Sequence, residues 1–293
     1  MTVKKLIINE DNSGRRIDNY LLSIFNSLPR SKIYNIIRKG EVRVNSSRIK
    51  PSYRLEEGDL VRIPPNLEFT KVSPKKIDKK LIDKHTHSIL FENKNYIIAN
   101  KQNNISVHSG TKNFIGLIDI FRKKYGDNID LCHRLDKTTS GCLVFGKNKK
   151  AIKNFTDCLL NKKVKKTYTA LIKGSFKGEE VVNKAIYKND KLKSKNATSK
   201  FLSIELLRNT TLVDIQIFTG RTHQIRIHAS QINHPILFDK KYGDTQFDEG
   251  LNIGKYNMAL HSKEISFPDI DSNIIKVSSG YPDDFKDLIK NLR

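Results

Sequence analysis

His133-Arg134-Leu135-Asp136-Lys137-Thr138-Thr139-Ser140-Gly141 runs straight into Cys142-Leu143-Val144-Phe145. The second stretch is apolar and of strand length, and Thr139-Ser140-Gly141 before it is turn chemistry, so the segment predicts a loop feeding a buried strand. Asp136 sits on that loop, two residues after Arg134. A carboxylate at the edge of a strand can be a nucleophile or a general base when a cation keeps it ionised. It can equally be a turn cap. The residues of this loop alone leave both readings open.

Outward from the loop, residues 87–293 read as strands broken by a few helices. Ile89-Leu90-Phe91 and Tyr96-Ile97-Ile98-Ala99 look like buried strands on either side of the turn Asn93-Lys94-Asn95, and Val213, Ile215 and Ile217 alternate. Phe114, Leu117, Ile118 and Phe121 keep helical spacing, as do Ile152, Phe155, Cys158 and Leu159. This mixture predicts an α+β domain around a mainly antiparallel mixed sheet. Two further clusters lie in it. In the strand Lys166–Gly174, Tyr168, Ala170 and Ile172 share a face. A tyrosine there is either packing or a stacking surface for a base taken out of its helix. In Thr219-Gly220-Arg221-Thr222-His223-Gln224-Ile225-Arg226-Ile227-His228, Gly220 permits a sharp exit from a strand. The spacing of Ile225, Ala229 and Ile232 favours a helix beyond it. His223 and His228 are five apart with no third ligand nearby, which does not suit a metal site.

Residues 12–65 read as a separate small unit. Ile17, Tyr20, Leu21, Ile24 and Phe25 predict one helix and Ile33, Ile36 and Ile37 a second, with Gly40 placed to end it. Period two then takes over in Glu41-Val42-Arg43-Val44-Asn45 and in Leu60-Val61-Arg62-Ile63. Arg15, Arg16, Arg30, Lys32, Arg38, Lys39, Arg43, Arg48 and Lys50 cluster around this scaffold, either as a solvated face or as a clamp on phosphates. Residues 66–86 lack periodicity; between Lys71 and Lys84 six lysines stand against two aspartates, which predicts a basic linker before the larger domain, 87–293.

Composition narrows the partner. Lys and Arg number 54 against 31 Asp and Glu, a net charge of +23, and a field of that sign recruits nucleic acid. No apolar run approaches the roughly 20 residues of a membrane span, and the first residues are not a secretory signal. Three cysteines, Cys132, Cys142 and Cys158, form no C-x-x-C pair. They argue against a disulfide framework or a zinc site and fit a reducing cytoplasm as small buried hydrophobes.

Arg16-Ile17-Asp18, Ser31-Lys32-Ile33 and Gly40-Glu41-Val42-Arg43-Val44-Asn45 resemble the S4 RNA-binding domain. The larger domain resembles the RluA-type family of RNA pseudouridine synthases, and the likeness runs over nearly the whole chain. His133–Gly141 matches that family's H-R-L-D-x-x-T-S-G, Lys166–Ala170 its K-x-Y-x-A, and Thr219–Arg226 its T-G-R-x-H-Q-I/L-R. His234-Pro235-Ile236-Leu237-Phe238-Asp239 and Tyr242-Gly243-Asp244 are similar to the RluC subgroup, which acts on large-subunit ribosomal RNA. Asn100-Lys101-Gln102 departs from the usual N-K-P.

The resemblance implies conversion of uridine to pseudouridine without a cofactor or metal, by a monomer. It implies Asp136 as the nucleophile, at C1′ of the sugar or C6 of the base, with Arg221 paired to it. Tyr168 would stack on the flipped uracil and take the C5 proton, and Arg134 would fill the gap left in the RNA. Two alternatives stand beside this: the same chemistry on transfer RNA, or a non-catalytic RNA-binding or ribosome-assembly protein.

Overall fold

A computed structural model of the chain describes residues 3–25, 28–65, 77–109, 115–187 and 194–293. They fall into two compact units, divided along the chain between residues 76 and 77. Phe114 and residues 66–76 of the expected linker lie outside the described residues.

The first unit contains β1 (Lys4–Ile7), α1 (Ile17–Ile24), α2 (Arg30–Arg38), β2 (Arg43–Val44), β3 (Ser47–Arg48) and β4 (Leu60–Ile63). Its strands form an antiparallel sheet in the order β1-β4-β2-β3. The apolar stripes read from sequence, Ile17, Leu21 and Phe25 with Ile33, Ile36 and Ile37, are buried together with Val42, Val44, Val61 and Ile63. Gly40 ends α2 at a φ of +72°, and a side chain there would collide with that of Arg48. The unit begins earlier than residue 12, because β1 completes the sheet in register Lys4↔Ile63 to Ile7↔Leu60.

The second unit also begins earlier than residue 87. Helix α3 (Lys79–Thr86), capped by the Asp78 side chain on the Lys80 amide, belongs to it, and Ile77, Leu81 and Ile82 pack on its core. Those three apolar residues stand among lysines, so the charge run hid a helix too short to show a clear period. The chain continues through β5 (Ile89–Glu92), β6 (Tyr96–Lys101), α4 (Leu117–Tyr125), β7 (Asp130–Leu131), β8 (Ser140–Gly146) and α5 (Lys149–Leu160). Then come β9 (Lys165–Lys173), β10 (Glu179–Asn183), β11 (Ile186–Tyr187), β12 (Ser194–Lys195), β13 (Thr198–Leu207) and β14 (Thr210–Ile217). Helices α6 (Gln224–Gln231) and α7 (Thr245–Gly250), strands β15 (Leu260–Pro268) and β16 (Ile274–Ser278), and α8 (Asp283–Leu292) complete it.

The main sheet runs β10-β13-β14-β9-β15-β8-β6-β5, with β16 on β15 and β7 on β8. Its pairings are antiparallel except β8 with β15, so the expected mainly antiparallel mixed sheet is present. All seven residues of β8 are buried because both faces are covered. Leu143 and Phe145 join the core that takes in α4 and α8, while Cys142 and Val144 face the cluster under α5, where all three cysteines are buried.

Gly141, the last residue of the H-R-L-D stretch, sits on the parallel seam. Its φ is +103°, and a Cβ would run into the Ser262 backbone. Substitution therefore meets left-handed strain of about 1–3 kcal/mol and overpacking of about 1–3 kcal/mol. Gly141→Ala is expected to lower the melting temperature by roughly 5 °C or more in calorimetry; a change under about 2 °C would contradict this account of the seam.

Candidate active site

The loop between β7 and β8 is fixed from behind. The Cys132 amide donates to the Val144 carbonyl (3.0 Å), and the Val144 amide donates to His133 Nε2 (3.1 Å). Burial pushes His133 down to about 3, so its imidazole is neutral and free to accept that bond. The His133 ring also stacks on Phe155. The Thr139 amide closes the turn on the Asp136 carbonyl (3.1 Å).

Under the turn lies Lys101, only 1% exposed. Its ammonium donates to the carbonyls of Thr139 (2.6 Å), Lys137 (3.0 Å) and Gln102 (3.0 Å). Burial lowers its pKa to about 7, against a smaller opposing pull from Asp136. The contact with residue 102 is through the backbone, so glutamine in place of the expected proline leaves it intact.

The cation on Asp136 comes from α6. Arg226 Nη1 donates to Asp136 Oδ2 (3.1 Å), while its Nε and Nη2 grip both oxygens of Asp239 at 2.7 Å. Asp239 Oδ1 also accepts from the Lys241 (2.9 Å) and Tyr242 (3.2 Å) amides, and the guanidinium lies over the Tyr242 ring. This corrects the expectation from sequence: Arg226, not Arg221, pairs with Asp136. Arg221 is exposed on the preceding loop, where its Nε donates to the Asn196 carbonyl.

The reason is the turn between the two arginines. Gln224 accepts from the Thr219 hydroxyl (2.6 Å) and the Arg221 amide (3.1 Å), and it donates to the Thr198 carbonyl and Ser199 hydroxyl. His223 then turns the chain at a φ of +54°, so α6 starts at Gln224 and brings Arg226 to the carboxylate. His223 Nε2 is 3.8 Å from Asp136 Oδ2, and its Nδ1 hydrogen-bonds Tyr242. Burial holds its imidazole below the ordinary histidine range, so at neutral pH it is a polar neighbour of Asp136 and not an ion-pair partner.

Asp136 faces two connected spaces. One is a cleft of about 90 Å³ that it shares with Lys166, Tyr168, Ile217, Leu260 and Arg226. The other is a groove of about 630 Å³ walled by residues 106–109, Arg134, Lys137 and Arg221. Among the described residues Asp136 is the one acidic residue lining either space, against five Lys and Arg. Tyr168 is 6% exposed on the cleft wall. Burial raises its pKa, against a hydrogen bond with Ser262 that lowers it, so it remains a phenol at neutral pH. That suits stacking on a base. Arg134 is exposed at the junction of cleft and groove.

In the first unit, Arg30, Lys32, Arg38, Lys39, Arg48 and Lys50 are exposed. The other three are partly engaged within the fold. Arg16 is held by the buried Asp18 (2.8 Å), Arg15 by Asn12, and Arg43 by the Gly40 and Ser46 carbonyls. Burial pushes Asp18 up, but hydrogen bonds from Arg16 and Tyr34 outweigh it and leave the carboxyl below its ordinary value. Arg16 thus acts in the fold as well as on the surface.

Residues 95–231 match the family model for RNA pseudouridylate synthases, and residues 15–61 match that of the S4 domain. A ribosomal large subunit pseudouridine synthase C from Haemophilus influenzae is 40% identical over 91% of this chain and 87% of its own length. The protein of that name from Yersinia pestis is 37% identical over 90% and 88%. Among solved structures, human RNA pseudouridylate synthase domain containing 1 aligns with a TM-score of 0.58 at 25% identity, over 67% of this chain and 83% of that one. The domain containing 4 protein shares the fold with a TM-score of 0.64 at 22% identity, over 73% and 95%. A lone carboxylate in a cationic groove, clasped by an arginine and facing a buried tyrosine, stands here on a shared fold and a sequence alike across nine-tenths of the chain; the chain belongs to the RNA pseudouridylate synthase family.

Proposed function

We propose that the protein isomerises uridines of large-subunit ribosomal RNA to pseudouridine, with Asp136 as the nucleophile. The observation that carries this reading is Asp136 itself, the acid among the described residues that faces both cleft and groove, aimed by Arg226. The names of the relatives that align over nine-tenths of the chain favour ribosomal over transfer RNA. The reaction breaks the C1′–N1 bond, turns the base and joins C1′ to C5. It has no net redox change and transfers no group to a second molecule, so its chemistry calls for no cofactor.

The base must leave its helix to reach the cleft, which costs a few kcal/mol. Arg134, at the junction of cleft and groove, fills the gap the base leaves, and Tyr168 stacks on the base. Arg221 contacts a phosphate, and so do the exposed cations along α2 and the β2–β3 turn; together they offset the cost of flipping. Asp136, Tyr168 and Arg226 come from a single copy of the chain, which supports a monomer. Three buried free thiols and a ribosomal substrate support a cytoplasmic location.

Tritium release from 5-tritiated uridine in ribosomal RNA tests the chemistry. Asp136→Asn should abolish release, and wild-type protein no faster than that variant would sink the enzymatic reading. Arg226→Gln should slow release on the order of 100-fold or more, since it strips a buried carboxylate of its partner. Arg221→Gln should act mainly on RNA affinity; equal rate losses for the two would reverse their assignment. Replacing Arg30, Lys32, Arg38 and Lys39 with glutamine should weaken RNA binding and flatten its salt slope, by about 0.7–0.9 for each phosphate left without its cation. An unchanged slope argues against the clamp. Pseudouridine mapping in cells lacking the protein should find missing sites in large-subunit RNA; losses confined to transfer RNA would overturn the substrate choice.

A further inference from the structure

Lys166 is the second residue of β9, two residues before Tyr168 and on the same side of the strand. It is 8% exposed, and it lines the cleft that Asp136 and Tyr168 share. A Cβ on Gly220 would sit 3.7 Å from its ammonium, which places that ammonium against the bare backbone of the cleft wall. Among the described residues it has neither a hydrogen-bond acceptor nor a carboxylate partner. The other charged or titratable groups facing the cleft are Arg134, Asp136, Tyr168, Arg221, His223 and Arg226. The one carboxylate among them is already held by Arg226. His133, behind the wall, is neutral and feels Lys166 only as a repelling charge.

An ammonium drawn into a cleft where no protein group accepts its hydrogen bonds is costly, because the fold does not replace the hydration it gives up. Burial accordingly pushes its pKa down to about 8. Lys101 makes the contrast clear: it too is buried, but three carbonyls accept its hydrogen bonds. The Lys166 ammonium has no protein acceptor among the described residues and is open to whatever enters the cleft.

We infer that Lys166 donates a hydrogen bond to a ring carbonyl oxygen of the flipped uracil and stabilises the base as it separates from the ribose. The inference rests on the pseudouridine synthase reading above. Every route from uridine to pseudouridine breaks C1′–N1, and the bonding electron pair stays with the base. The negative charge spreads from N1 onto the two carbonyl oxygens. An ammonium already in place beside one of them gains strength as that charge develops, and so favours the transition state over bound substrate. No proton need leave Lys166. The ring later forms its bond to C1′ through C5, loses the C5 proton and regains one at N1.

The test uses Lys166→Met, which keeps the unbranched side chain as far as the ε carbon and removes the ammonium. Single-turnover tritium release is expected to fall about 10- to 100-fold, the worth of one hydrogen bond to a charged group, while RNA Kd stays within about threefold. The melting temperature should hold or rise, since a desolvated charge has been removed. In wild type, kcat/KM should decline as pH rises through about 8, where the free enzyme's Lys166 loses its proton, and this limb should be absent in the variant. A rate within threefold of wild type overturns the inference. So does a loss of affinity as large as the loss of rate, which marks a phosphate contact, and so does a limb that persists and therefore belongs to another group such as Lys101. Wild-type release that matches Asp136→Asn would instead remove the synthase reading on which the inference stands.

Discussion

The catalytic unit depends on a seam of two residue pairs. Strand β8 closes one antiparallel half of the main sheet and β15 lies in the other; they meet in parallel through Ser140↔His261 and Gly141↔Ser262. Buried polar contacts hold the meeting point. The Ser140 hydroxyl hydrogen-bonds His261 Nδ1 (2.8 Å), and the Ser262 hydroxyl donates to the Cys142 carbonyl (3.3 Å). Burial pushes His261 down to about 4, so the seam carries no charge at neutral pH. Because β15 also pairs with β9 at Leu260↔Ala170, the loop that feeds β8 is drawn toward Tyr168. Asp136 and Tyr168 are far apart in sequence, and the seam makes them walls of one cleft.

The carboxylate then needs a cation that fixes its position without cancelling its charge. Arg226 meets this requirement by being shared. Two of its nitrogens are committed to Asp239, and a third reaches Asp136. Burial alone would push Asp239 up, yet the arginine and the Lys241 and Tyr242 amides hold its carboxyl below the ordinary range. Two carboxylates against one guanidinium leave the trio at −1, so Asp136 can be both aimed and nucleophilic. An arginine paired to Asp136 alone would neutralise the group it positions.

Much of this was legible in the sequence where the physics is local. The helical stripes of α1, α2 and α5 followed from spacing, and the apolar run Cys142–Phe145 marked β8. The H-R-L-D loop also announced itself. The choice between Arg221 and Arg226 did not, since both lie in the same motif and the left-handed turn at His223 decides which one faces inward. Asp239 was invisible as a partner because nothing local ties it to a residue thirteen positions earlier on a helix. Lys166 belongs to a strand pattern in the sequence, but its lack of a protein acceptor among the described residues is a property of the folded cleft and has no signature in spacing.

The two buried lysines show how the same residue type serves structure in one place and ligand in another. Lys101 is the more deeply buried and its pKa is pushed lower, to about 7, even with three carbonyls around it, because neutral dipoles offset only part of the lost hydration. Its donors are fully spent on the turn under Asp136, so it stiffens the loop and offers nothing to RNA. Lys166 is buried nearly as well and spends none of them. A fold selected for stability alone would place an apolar residue at that end of β9, where the strand already enters the core. An unsatisfied cation kept on the wall of a cleft that also holds Asp136 is a cost to the free protein. The bound, charge-developing base is the acceptor it is placed to meet.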